Sequence, residues 1–303
     1  MKFSYRGRFA PSPTGPMHLG SLLAAAGSYL QARSQGGQWL LRIEDVDRHR
    51  CRPQWRDRLL HDLERLGLHW DAPPWQQSER DEAYHAALER LREVTYVCRC
   101  SRKTWQAAAR RGPWGLIYPG TCRDQGHRDG PGRALRLRVP ATTWRCYDPI
   151  QGELRQNLAQ DVGDFVLRRA DGLFAYQLAV VVDDAAQGIT EVVRGADLWD
   201  NTPRQHYLAH CLGLTPPPTL HLPVLVDPSG RKLSKSTGAG ALDLTRPVSE
   251  ITRVLRLLGQ EPPREVEESD EVENVWRWAI QHWDPARIPR RATLSPQDRL
   301  NNP

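Results

Sequence analysis

Between Tyr5 and Ile43 the chain reads as strand, turn, helix and second strand, and a crossover of that kind leaves few folds open. Tyr5–Ala10 is a short strand, and Pro11-Ser12-Pro13-Thr14-Gly15-Pro16 is turn-forming. From His18 to Arg33 the residues Leu22, Leu23, Ala25, Ala26, Tyr29 and Leu30 fit a buried helix, which Gly36-Gly37 ends. Trp39–Ile43 is mostly apolar, as a parallel strand covered on both faces should be. The unit predicts a doubly wound parallel sheet, a fold that binds ligands at the carboxyl ends of its strands.

Further along, residues 54–92 read as helical, with Arg56, Arg58, Asp62, Glu64 and Arg65 on one face. Residues 93–150 break the pattern with glycines, prolines and clustered cysteines, as an insertion would. Leu178–Asp183, Ile189–Val193 and Leu222–Val226 read as strands. After Pro247 helical spacing returns with Val248, Ile251, Leu255 and Leu258, then Val275, Trp276, Ala279 and Ile280. The expected organisation is a first half of an α/β domain (1–92), an insertion (93–172), a second half (173–246) and a small helical C-terminal subdomain (247–303).

No apolar run is long enough to cross a membrane, and the first residues, Met1-Lys2-Phe3-Ser4-Tyr5-Arg6, lack a signal-peptide core. A cytoplasmic chain with reduced cysteines is expected. The net charge of +6 is compatible with a nucleic-acid partner. Its makeup is lopsided: of 42 basic residues only Lys2, Lys103, Lys232 and Lys235 are lysine. Two of those four lie three residues apart, so an ammonium was kept there where arginine is the rule. The two cations are not interchangeable at a phosphate site.

Four segments carry chemistry. Arg8-Phe9-Ala10-Pro11-Ser12-Pro13-Thr14-Gly15-Pro16-Met17-His18-Leu19-Gly20-Ser21 joins the first strand to the first helix, whose N-terminus favours phosphate. His18 can donate a hydrogen bond to a phosphate oxygen as charge builds there. Leu41-Arg42-Ile43-Glu44-Asp45-Val46-Asp47-Arg48 ends the second strand and offers Glu44 to a substrate ammonium. The block from Asp164 to Leu198 brings Tyr176 and Arg194, and Arg231-Lys232-Leu233-Ser234-Lys235-Ser236 brings the lysine pair. Taken singly, each has a bland reading as a turn, a cap, a core tyrosine or a solvated loop.

Taken together, in this order across 8–236, they resemble the signatures of the glutamyl- and glutaminyl-tRNA synthetases. His18-Leu19-Gly20-Ser21 is similar to the family's His-Ile-Gly-His motif, with Ser21 in place of the second histidine. Arg42-Ile43-Glu44-Asp45 resembles its Arg-Ile-Glu-Asp stretch, and 232–236 its Lys-Met-Ser-Lys-Ser loop, with Leu233 for methionine. The resemblance implies the class I Rossmann-like catalytic fold with an insertion. It also implies formation of glutamyl-adenylate from ATP, accompanied by Mg2+, and L-glutamate. In that scheme Arg8, Tyr176 and Arg194 hold the glutamate side-chain carboxylate and Glu44 holds its ammonium. Phe9, Ala10, Pro11 and Ser12 complete the pocket. His18 and Lys235 are the catalytic pair, and Gly20, Ser21, Lys232 and Ser234 join them around ATP. Glutaminyl enzymes lack the equivalent of Arg194, so this residue argues for glutamate, because a buried guanidinium facing a neutral amide loses its counter-charge.

Six cysteines occupy 51, 98, 100, 122, 146 and 211, and three crowd into 98–122. A structural zinc site takes four ligands. Cys98, Cys100 and Cys122 supply three, and some family members complete the set with a tyrosine, which Tyr118 matches; His127 is the rival. Only 67 residues follow Ser236, fewer than the family's helical anticodon-binding part needs. The expectation is therefore a truncated paralogue, a monomer, that activates glutamate without tRNA and passes it to queuosine in the anticodon loop of tRNA(Asp). A shortened synthetase charging a tRNA 3′ end, or an inactive nucleotide- or tRNA-binding paralogue, are the alternatives.

Overall fold

The first strand, β1 (Arg6–Phe9), is covered on both faces and continues through the proline turn into α1 (Leu19–Ser34). Helix α1 buries eleven of its residues, because small side chains alternate with leucine around its whole surface. Gly27 lets it lie close on the sheet, since a Cβ there would sit 2.4 Å from Leu222 Cδ1. The chain returns in β2 (Gln38–Ile43), parallel to β1 with Arg8 opposite Leu40, and then enters α2 (Pro53–Arg65), which has proline in its first turn. A computed structural model of the chain describes residues 4–233 and 240–297.

After α2 come β3 (Trp75–Gln76), which pairs with the end of β2, and α3 (Asp81–Arg90). The expected helical stretch 54–92 is thus two helices with a strand between them. The charges that suggested one long helical face belong to α2 alone.

The segment that follows is antiparallel. It contains β4 (Thr95–Cys98), α4 (Arg102–Ala108), the hairpin of β5 (Arg110–Gly112) and β6 (Gly115–Ile117), and β7 (Ala134–Leu137). A second hairpin is formed by β8 (Thr143–Asp148) and β9 (Gly152–Asn157), and β10 (Phe165–Arg168) pairs with β7.

Next comes α5 (Tyr176–Ala186), where the sequence suggested a strand over Leu178–Asp183. Short apolar runs do not separate strand from buried helix by periodicity. Here Leu178, Ala179, Val180, Val181, Asp183 and Asp184 are all buried, so the helix has no exposed stripe to betray its period. The parallel sheet resumes with β11 (Val192–Gly195), followed by α6 (Thr202–Cys211), β12 (Thr219–Leu222) and β13 (Val224–Leu225). The strand expected at Leu222–Val226 is these last two, divided at Pro223. Finally come α7 (Pro247–Leu257), α8 (Arg264–Glu267), α9 (Val272–His282) and β14 (Thr293–Leu294), which pairs with β13.

Strand β11 lies against β1 on the edge opposite β2, with Thr190 N donating to Arg6 O at 2.9 Å. The parallel strands therefore run β3-β2-β1, then β11-β12, and the order reverses between β1 and β11. That switch point is where a crevice for a ligand opens.

Helices α7 and α9 have no separate core. Ile251, Val254, Leu255, Val275 and Trp276 join one cluster with Leu22, Leu30, Trp39 and Leu222. Trp276 stands edge-on to Tyr29 at 5.3 Å and donates its indole N–H to Leu66 O at 2.7 Å. The Trp276→Ala variant should lose about 3–5 kcal/mol of unfolding free energy. Urea titration checks this; a loss within error of zero would show that α9 is not part of the main core.

Candidate functional site

The strand ends and the turn after β1 surround one cavity of about 760 Å³. Arg8, Phe9, Ala10, Pro11 and Ser12 line it from the first strand and turn. His18, Gly20 and Ser21 line it from the start of α1, Glu44 from the end of β2, Tyr176 from the start of α5, Arg194 from β11, and Lys232 from beyond β13. Ser234 and Lys235 lie outside the described residues. So twelve of the fourteen residues singled out for glutamate and ATP, scattered over the sequence, border one space.

At the floor of this space is a buried charge network. Arg8 donates to Asp184 Oδ1 at 3.0 Å and to Val193 O at 3.3 Å. Arg42, wholly inaccessible, pairs with Asp184 at 2.7 Å and with Glu44 at 3.4 Å. Burial opposes ionisation of Asp184, but Arg42 and Arg8 outweigh it and hold the carboxyl below its usual range. For Glu44 the balance goes the other way. Burial pushes its carboxyl up, and Arg42 and Arg8 offset only part of the rise. A cation arriving beside Glu44 would favour its charged form. The Tyr176 phenol, pushed up to about 12 by burial and by Glu44, stays protonated and can donate.

Arg194 is buried, and each hydrogen-bond partner it has is neutral. Its Nε donates to His221 Nε2 at 3.0 Å, Nη1 to Gln205 Oε1 at 2.8 Å, and Nη2 to Thr202 Oγ1 at 3.0 Å and Leu198 O at 3.4 Å. Among the described residues the guanidinium thus has no carboxylate in direct contact, unlike Arg8 and Arg42 beside it.

On the opposite flank, His18 caps α1, and its Nδ1 accepts from Ser21 N at 3.3 Å. The neutral ring then carries its proton on Nε2, the tautomer that can donate to an oxygen. Gly20 is matched to this ring, because a Cβ at 20 would stand 3.1 Å from His18 Cε1. Ser21, at the position of the family's second histidine, supplies that backbone N–H, which it shares with His18 O at 2.8 Å. Lys232 pairs with Asp197, another cavity residue.

Sequence reasoning missed Arg42 and Asp184 as site-builders, although both stood inside quoted motifs. The signal was present: a charged residue in the apolar run Trp39–Ile43 must be paired if buried, and Asp184 ends another such run. His221 and Asp148 were missed with no signal to find them.

A second cluster lies in the antiparallel segment. Cys98, Cys100 and Cys122 bring their Sγ atoms within 4.8 Å of one another. Tyr118 Oη stands 3.3 Å from Cys98 Sγ and 3.5 Å from Cys100 Sγ, and Cys122 N donates to it at 3.0 Å. Four soft or phenolic donors at tetrahedral-edge separations fit a zinc-sized ion. His127, among the described residues, is not in this group. No described helix is long and apolar enough to cross a membrane.

Comparison with known proteins gives this geometry its context. The family of class I tRNA synthetases (E and Q), catalytic domain, matches residues 4–263. The glutamyl-Q tRNA(Asp) synthetase of Pseudomonas aeruginosa is 51% identical over 302 residues, covering 99% of this chain and 100% of that one. The protein of the same name from Dechloromonas aromatica is 52% identical, covering 97% and 99%. Among solved structures, a glutamate tRNA ligase from Elizabethkingia meningosepticum in complex with its amino acid superposes with a TM-score of 0.78, at 24% identity, over 96% of this chain and 67% of that one. A buried charge network at the sheet's switch point, a histidine-capped helix beside it and relatives matched end to end lead to one statement: the chain belongs to the class I tRNA synthetases of the glutamate and glutamine type, in the group of the glutamyl-Q tRNA(Asp) synthetases.

Proposed function

We propose that the protein activates L-glutamate with MgATP, without help from tRNA, and transfers it to queuosine in the anticodon loop of tRNA(Asp). The observation that carries the first half is the pairing, in one cavity, of a guanidinium whose direct partners among the described residues are neutral and a carboxylate destabilised by burial. Glutamate brings what each needs: a side-chain carboxylate for Arg194, with Arg8 and Tyr176 beside it, and an ammonium for Glu44. Glutamine would leave Arg194 without a counter-charge. The second half is supported by the relatives' name and by alignment along their whole length.

The chemistry asks little covalent work of the protein. An α-carboxylate oxygen of glutamate bonds to the α-phosphorus of ATP, the bond to the β-phosphate oxygen breaks, and pyrophosphate leaves. Holding the reactants in line is the larger part of catalysis, and stabilising charge on the phosphates is the rest. His18, with its donor on Nε2, and Lys235 of the 232–236 motif act on that charge. Gly20, Ser21, Lys232 and Ser234 cradle ATP, while Phe9, Ala10, Pro11 and Ser12 shape the glutamate pocket. In the second step a queuosine hydroxyl attacks the activated carbonyl and AMP departs. Cys98, Cys100, Tyr118 and Cys122 hold a structural zinc that stiffens the inserted segment.

Glutamate-dependent ATP–pyrophosphate exchange with no tRNA present tests the first half, and exchange that starts only when tRNA is added overturns it. For the acceptor, label from glutamate should enter tRNA(Asp) carrying queuosine, survive periodate treatment of the 3′ end beforehand, and fail with guanosine at that position. Label that requires the 3′ ribose would point to the shortened synthetase instead.

Glu44 gives a pH signature. Only its ionised form attracts an ammonium, and burial moves its protonation upward, so kcat/KM for glutamate should fall on the acid side with an inflection above ordinary glutamate values near 4.3. Glu44→Gln should erase that limb and lower kcat/KM by about a hundredfold, as removal of one partner from a buried charge pair does. A pH profile unchanged in the variant would assign the limb elsewhere.

Purified, untagged protein should carry about one zinc per chain, lost in the double variant Cys98→Ser/Cys100→Ser. Elemental analysis finding no zinc in the wild type would remove it from the scheme.

A further inference from the structure

Residues 194 and 221 face each other across the β11–β12 pair. A hydrogen bond joins Arg194 Nε to His221 Nε2 at 3.0 Å. An imidazole nitrogen can accept only if it bears no proton, so the proton of His221 sits on Nδ1. There Asp148 Oδ2 receives it at 2.7 Å. A doubly protonated ring would set N–H against N–H and push Arg194 away. Burial lowers the His221 pKa to about 4, with Arg194 acting in the same direction and Asp148 against it.

The carboxylate is itself held from several sides. His221 N donates to Asp148 Oδ2 at 2.8 Å, while Ile150 N and Gln151 N donate to Oδ1 at 2.9 and 3.0 Å. Gln151 Nε2 also donates to His221 O at 3.0 Å, and the Trp199 ring covers the imidazole at 4.8 Å. His221 and Asp148 are both fully inaccessible. Asp148 ends β8, so the hairpin of the inserted segment reaches into the parallel sheet to make this contact.

We infer that Asp148 and His221 are positioning residues that hold Arg194 ready for the substrate's side-chain carboxylate, and that they contribute to the choice of glutamate over glutamine; this rests on the glutamate-activating reading above. The logic is one of spacing. A carboxylate in direct contact with Arg194 would take the place that the substrate must occupy. A neutral imidazole between the two fixes the guanidinium through one N–H and leaves its charge for the substrate. The carboxylate fixes the ring's tautomer, a role aspartate plays beside histidine in hydrolase triads.

Pyrophosphate exchange with glutamate and with glutamine, on the full chain, tests the inference. His221→Phe keeps the ring packing and removes both hydrogen bonds. It should raise KM for glutamate about tenfold or more, leave KM for ATP unchanged, and reduce the glutamate-to-glutamine ratio of kcat/KM by a similar factor. His221→Gln places an amide oxygen where Nε2 accepts and should recover most of the loss; His221→Asn keeps the donor toward Asp148 but not the acceptor, and should not. A folded His221→Phe protein, shown by an unchanged melting midpoint, with wild-type KM and ratio overturns the inference. If the phenylalanine variant does not fold, equal behaviour of the glutamine and asparagine variants overturns it. Wild-type protein without glutamate-dependent exchange would instead reject the underlying reading.

Discussion

The salt bridge between Arg42 and Asp184 is the constraint on which the site depends. It ties the end of β2 to the end of α5, two elements far apart in sequence, with one partner wholly buried and the other nearly so. Two charges are kept from water only when their geometry repays the desolvation. Here the return comes from the neighbours: Asp184 also holds Arg8, and Arg42 also meets Glu44 and Gln187. Removing Arg42 would unpair Glu44, and removing Asp184 would unpair Arg8, the two side chains that face the cavity. Next to Asp184, Asp183 is clamped by Gln77, Arg80 and Tyr84, so α5 is fixed in register on both sides of that turn.

Where the chain's pattern is local, the sequence was readable. The βαβ unit from Tyr5 to Ile43 is found almost residue for residue, because its strands are apolar and its helix is bounded by a turn and two glycines. Arg8, His18, Glu44, Tyr176 and Arg194 were all marked, by their motifs and by resemblance, and all border one cavity. The misreading of Leu178–Asp183 as a strand has a plain cause. Valine-rich segments buried on every side carry no period, and only the tertiary environment decides. What could not be read were contacts made across the fold. His221 lies in an unremarkable Thr-Leu-His-Leu strand and Asp148 in an insertion, and nothing in either stretch announces the other.

That pairing also recasts the insertion. The antiparallel segment interrupts the parallel sheet in sequence, and it could have been a passive appendage. Instead its β8–β9 hairpin delivers Asp148 beneath β12, while its cysteine cluster lies in a small core of its own with Tyr96, Tyr118 and Ala134. One part of the insertion is thus joined, through His221, to the cavity residue Arg194, and another is packed on itself. The first must keep its geometry to a fraction of an ångström if Arg194 is to stay placed.

The shared core of α1, α7 and α9 has a mechanical meaning. Helix α1 presents His18 at its N-terminus and is packed along its length by the sheet on one side and by the C-terminal helices on the other. A helix so enclosed cannot tilt or slide without opening voids, and close-packed interiors resist that strongly. The histidine cap therefore behaves as an anvil. On the proposed reading, the nucleotide must be brought to His18, because the helix that carries it cannot move to meet the nucleotide.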